Sequence, residues 1–92
     1  MSDLFTATKF LISGLPWQYI FAKTEFGDYE LFTYRWHADV SGYLFDKSHY
    51  LSEESSNKFM DELRKTGYAE RTCAVPQPFW DGGLAPKSLV GA

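Results

Sequence analysis

The sequence predicts an α+β domain, an antiparallel meander of three or four strands with one helix over about residues 52–66. Two patterns carry this reading. Between Trp17 and Ala38, aromatic and branched residues alternate around a glycine-containing connection, which is the signature of a β-hairpin. At Ser52 the period changes from two to that of an amphipathic helix. With 92 residues, 45% of them hydrophobic, the chain is long enough for one core and too short for two.

Residues 3–12 place Leu4, Ala7, Thr8 and Leu11 at helical spacing, with Ser2 as N-cap and Gly14 as stop. Thr6, Thr8 and the run Phe10-Leu11-Ile12 suit a strand equally, so a short N-terminal helix and a strand both stay open. Leu15-Pro16 ends this element, because proline biases the preceding residue away from helical backbone. The next strand, Trp17 to Thr24, sets Trp17, Tyr19 and Phe21 on one face and Ile20 and Ala22 on the other. After Glu25-Phe26-Gly27-Asp28, the strand Tyr29 to Ala38 puts Phe32, Tyr34 and Trp36 on one face. Asp39-Val40-Ser41-Gly42 is a second turn, followed by Tyr43-Leu44-Phe45 and, less regularly, His49-Tyr50-Leu51.

Ser52 caps a helix whose first turn carries Glu53 and Glu54 and whose apolar stripe is Phe59, Met60 and Leu63. Arg64 and Lys65 in the last turn and Gly67 beyond it complete the stop chemistry. Tyr68 to Val75 alternates as a final strand. Residues 1–75 thus form the domain, and 76–92 a tail rich in proline and glycine, either disordered or docked through Phe79 and Trp80.

Several function classes lack their residues. No apolar run approaches the roughly 18 residues of a membrane-spanning helix, and Met1-Ser2-Asp3 does not begin a secretory signal. One cysteine, Cys73, allows no internal disulfide, which fits a reducing, cytoplasmic setting. Two histidines and one cysteine, widely separated, fall short of a structural zinc site, so no metal or cofactor is expected. Cys73 with His37 or His49 and Asp39 formally supplies a nucleophile, a base and an orienting acid, but no motif surrounds them, and a lone strand cysteine is normally a small buried hydrophobe. Neither a phosphate-binding loop nor a dinucleotide fingerprint occurs. The acid pairs Asp28/Glu30, Glu53/Glu54 and Asp61/Glu62 are sequence neighbours at turns and on a helix, where carboxylates are ordinarily solvated. The expected chain is therefore not an enzyme.

Charge and aromatic content point toward binding. The net charge is −3, and residues 24–63 hold nine acids against three bases, so the acid sits in the middle of the chain. Such a block steers approach toward basic surfaces. The 17 aromatic residues exceed what one small core hides, so some should face solvent as interface anchors. The candidate partner contacts are Tyr29, Tyr34, Trp36 and Tyr43 on the sheet, Phe79 and Trp80 in the tail, and Glu25, Asp28, Glu30, Asp39 and Asp46 in the acidic block. A single-stranded nucleic-acid platform, with Trp17, Tyr19 and Phe21 beside Phe32, Tyr34 and Trp36, is a second reading. The surrounding acids and the scarcity of bases (Lys9, Lys23, Arg35) oppose it.

A small, acidic, aromatic-rich domain with one cysteine and no catalytic motif resembles, in general character, the anti-CRISPR proteins, stand-alone inhibitors that phages encode against host defences. The resemblance implies a non-enzymatic viral inhibitor in the host cytoplasm, monomeric or dimeric, bound to a host protein or nucleoprotein complex and needing no membrane or cofactor. It would act sterically, its acids lying on the lysines and arginines that hold guide or target backbone. Direct contact with nucleic acid stays open. The alternative is an accessory or structural protein acting by self-assembly through a strand edge or by subunit docking.

Overall fold

The computed structural model describes residues 6–76. It is an α+β fold in which five antiparallel strands form one sheet and one helix packs on it: β1 Thr6–Leu11, β2 Trp17–Lys23, β3 Tyr29–His37, β4 Gly42–Leu51, α1 Glu53–Thr66 and β5 Ala69–Ala74. The sheet order is β4-β3-β2-β1-β5. Four strands form a meander, and α1 then carries the chain from the β4 edge to the β1 edge, where β5 adds on.

The N-terminal segment is a strand rather than a helix. β1 lies between β2 and β5, pairing Phe10 with Tyr19 on one side and with Glu70 on the other. Thr6 and Thr8 suit extended backbone, and pairing on both edges satisfies backbone groups that a short isolated helix would satisfy less well. Gly14, at φ +87°, serves the β1–β2 connection instead of stopping a helix.

The irregular alternation after Phe45 has a local cause. Thr33 pairs with Lys47 while Tyr34 pairs with Phe45, so Asp46 is the extra residue of a β-bulge. Before the bulge Tyr43 and Phe45 lie on the face that later receives Ser48 and Tyr50, and a strict period of two misses that switch. β4 is therefore one continuous strand of ten residues.

α1 forms where its capping chemistry dictates. The Ser52 hydroxyl accepts the Ser55 amide at 3.1 Å. At the other end Gly67 adopts φ +106°, and the amides of Gly67 and Tyr68 donate to Arg64 and Leu63 carbonyls at 3.1 and 3.0 Å. These two bonds are the Schellman arrangement, which needs a residue tolerant of left-handed backbone.

The helix buries Met60 and Leu63 against Phe10, Phe21 and Leu31, with Tyr19, Tyr29, Leu51, Phe59 and Tyr68 at the margin. Phe21 stands edge-on to Phe10 and to Phe59, both at 5.6 Å. A second cluster, Ala7, Ile20, Ala22, Phe32 and Tyr34, occupies the opposite face of the sheet.

Candidate partner-binding surface

The pairing register decides which aromatics share a face. Trp17 pairs with Arg35, Tyr19 with Thr33 and Phe21 with Leu31, whereas Phe32 pairs with Ile20 and Tyr34 with Gln18. Odd residues of β2 therefore meet odd residues of β3, and the two aromatic triplets lie on opposite faces of the sheet. Tyr19 and Phe21 pack into the helix-side cluster and Phe32 and Tyr34 into the other, so the joint stacking platform is not assembled.

The same register separates Cys73 from the histidines. Cys73 belongs to the cluster away from the helix, while His49 pairs with Leu31 of the helix-side cluster. Burial also pushes the Cys73 thiol up, against the thiolate a nucleophile requires. Among the described residues, no three His, Cys, Asp or Glu side chains gather as metal ligands do.

The candidate contact residues divide among several places. Tyr34 is 5% exposed, so it is a core residue and not an accessible anchor. Tyr29 is half-buried beside the helix, edge-on to Phe21 with the Lys23 ammonium 5.8 Å from its ring centroid. Trp36 and Tyr43 meet edge to face at 5.2 Å across the β3–β4 hairpin. They line a cleft of about 350 Å³ with Gly14, Leu15 and Pro16. Trp36 is 43% exposed, and the Tyr43 hydroxyl donates to the Leu15 carbonyl at 3.0 Å. Asp39 is exposed in the adjoining turn, and Asp46 is exposed at the β4 bulge. Phe79 and Trp80 lie outside the described residues.

Glu25, Asp28 and Glu30 cluster at the other end of the sheet, around the β2–β3 turn. The turn is built by Thr24, whose amide donates to the Asp28 carbonyl at 2.8 Å, whose hydroxyl donates to the Asp28 carboxylate, and whose Oγ1 accepts the Phe26 amide at 3.1 Å. Gly27, at φ +95°, closes it. The construction leaves Phe26 86% exposed, and Tyr50, which pairs with Glu30, 64% exposed. Thr24, Glu25, Phe26, Asp28 and Tyr50 line a second cleft of about 350 Å³. Partial burial raises the Glu30 carboxyl above its usual range, an effect moderated by a hydrogen bond from Ser48.

Phe26 and Tyr50 were not among the residues expected to bind. A large aromatic beside a turn glycine, where polar residues are usual, is the sequence signal that marks Phe26. Tyr50 lies after the bulge, so its facing could not be read by counting.

Ion pairing distinguishes the acids. Glu53, Glu54, Asp61, Glu62 and Glu70 each sit within 4.0 Å of a lysine or arginine nitrogen. Glu25, Asp28, Glu30, Asp39 and Asp46 form no salt bridge among the described residues. All five belong to β3, to β4 or to a turn adjoining β3, so the uncompensated negative charge lies on the β3–β4 half of the sheet. Self-assembly through the β4 edge is opposed by the same arrangement, since a bulge carrying an exposed carboxylate is a common device against edge pairing.

Among the described residues, no helix is long and apolar enough to cross a membrane. Comparison with known protein families, curated proteins and solved structures finds no match.

Proposed function

We propose that this chain is a non-enzymatic inhibitor that binds a larger host nucleoprotein and occupies its basic, nucleic-acid-holding surface, as anti-CRISPR proteins do. The observation that supports it best is the β2–β3 turn, where exposed Phe26 and Tyr50 stand among Glu25, Asp28 and Glu30, acids without a salt bridge among the described residues. A surface that combines uncompensated acids with two exposed rings suits a partner presenting lysines and arginines around an apolar hollow. The acids would speed encounter and set its salt dependence, and the rings would supply the desolvated anchors.

The test begins with pull-down of the tagged chain from nuclease-treated and untreated host lysate. The captured complex is then assayed for nucleic-acid binding with and without the chain. The reading expects capture in both halves, loss of nucleic-acid binding by the complex, and at least about tenfold slower association for a Glu25→Lys/Asp46→Lys variant at low salt. It is refuted if the captured complex binds nucleic acid equally well with the chain present, or if the charge reversals leave association and its salt dependence unchanged. Recovery of nucleic acid alone, lost after nuclease, would refute it in favour of direct strand binding.

A further inference from the structure

α1 covers only part of its own face of the sheet. It starts two residues after Leu51, at the β4 edge, and its C-cap Gly67 lies beside Ile12, just past the end of β1, so it crosses the strands diagonally. The part left open is a groove of about 390 Å³ lined by Trp17 and Tyr19 of β2, Thr33 of β3, Lys47 and His49 of β4, and Phe59 of α1. Register brings them together: Thr33 pairs with Tyr19 on one side and with Lys47 on the other, and His49 follows Lys47 on the same face. The groove differs from the rest of this acidic molecule. No carboxylate is among the described residues that line it, and Lys47 forms no salt bridge among the described residues. Arg35, next on the same face of β3, adds a second cation without a salt bridge among the described residues, its guanidinium 5.3 Å from the Trp17 ring centroid. Glu30, paired with Tyr50, faces the other side of the sheet. Thr33 is 5% exposed, and its hydroxyl has no hydrogen-bond partner among the described residues although it lines the groove.

We propose that this groove binds a nucleoside monophosphate, its base against the Trp17, Tyr19 and Phe59 rings and its phosphate on Lys47 and Arg35. A base has an apolar face and a polar edge, so it uses the aromatic wall and the unpartnered Thr33 hydroxyl together. A phosphate dianion needs cations close by, and strand geometry sets the Cβ atoms of Lys47 and Arg35 roughly 5 and 7 Å from that of Thr33. His49 adds an imidazole N–H donor beside Lys47. The volume falls within the range of small-molecule sites, and a groove with apolar walls and a few convergent polar groups is their usual construction. It shares no lining residue with the cleft at the β2–β3 turn, so the site goes beyond the proposed inhibitory surface and does not depend on it.

Titration of the full chain with the 5′-monophosphates of adenosine, guanosine, cytidine and uridine, followed by amide and indole NMR shifts, tests the site. The expected result is saturable one-to-one binding of at least one of them with a Kd below about 1 mM, with shifts centred on Trp17, Thr33, Lys47 and His49. The matching nucleoside and inorganic phosphate should each bind at least about tenfold more weakly, because each engages only half of the groove. Lys47→Glu, a substitution at an exposed position, should weaken binding at least about tenfold with circular dichroism unchanged, and the near-isosteric Thr33→Val about threefold. Absence of saturable binding by all four nucleotides overturns the proposal. So does phosphate binding as tightly as the nucleotide, which would leave only an exposed lysine attracting anions, or an affinity that Lys47→Glu does not change. A twelve-residue oligothymidylate that binds at least about tenfold tighter than every monophosphate would overturn it in favour of a strand-binding surface.

Discussion

Two phenylalanines on the same β-hairpin give the sharpest test of the packing described above. Phe21 is 1% exposed, with Phe10 and Phe59 edge-on to its ring at 5.6 Å, whereas Phe26 is 86% exposed at the turn. Phe21→Ala removes a buried ring from the centre of the helix-side core and costs about 3–5 kcal/mol as lost transfer energy and residual cavity. A domain of 92 residues has roughly 5–14 kcal/mol of stability in total. The variant should therefore fold marginally. With a urea dependence near 1.3 kcal/mol per molar, its unfolding midpoint should fall by about 3 M. Phe26→Ala removes the same atoms from solvent and should stay within about 0.5 kcal/mol of the parent. Urea titration followed by circular dichroism measures both. A loss below about 1 kcal/mol for Phe21→Ala, or above about 1.5 kcal/mol for Phe26→Ala, would refute the assignment of core and surface.

Substitutions at three further positions probe polar and backbone features. The Ser56 hydroxyl is fully buried on the helix and has no hydrogen-bond partner among the described residues. Ser56→Ala should therefore raise stability by about 0.5–1.5 kcal/mol, read as an increase in melting temperature; a decrease would mean the hydroxyl is satisfied. Gly67→Ala should cost about 1–2 kcal/mol, because the new Cβ would meet only Ile12 Cδ1 at an ordinary 3.7 Å while the backbone is held at φ +106°. Gly67→Asn should cost less in the same melting experiment, since asparagine tolerates left-handed backbone better than alanine does. Glu30, whose carboxyl is raised by burial, disfavours the fold when charged, so its contribution is best below its ordinary pKa of 4.5 and declines as pH rises through the raised value. Glu30→Gln should thus gain stability relative to the parent between acidic and neutral pH, and parallel pH–stability curves would contradict this.

What the amino-acid order determined by itself was local. The helix was readable because its information lies within sixteen neighbouring residues: a serine cap, acids in the first turn, bases in the last and a terminal glycine. The β2–β3 hairpin was readable because alternation and its turn residues are adjacent in the chain. The N-terminal segment was ambiguous because β1 becomes a strand through partners far along the chain, with Phe10 set between Tyr19 and Glu70. Composition also indicated that acids and aromatics outnumber what the core requires, but it could not place them.

Tertiary structure alone decided facing and neighbourhood. Tyr34 passed from candidate contact to core, and Trp36 was separated from Glu30 by six strand residues, roughly 20 Å. Phe26 and Tyr50, far apart in sequence, came to share one cleft. The physical reason is that a strand presents two faces whose use depends on register, and one bulge at Asp46 reverses the facing of everything after it. Which acids stay uncompensated is likewise a property of the fold, since α1 surrounds its carboxylates with lysine and arginine while the β3–β4 half of the sheet leaves five of its acids without a salt bridge.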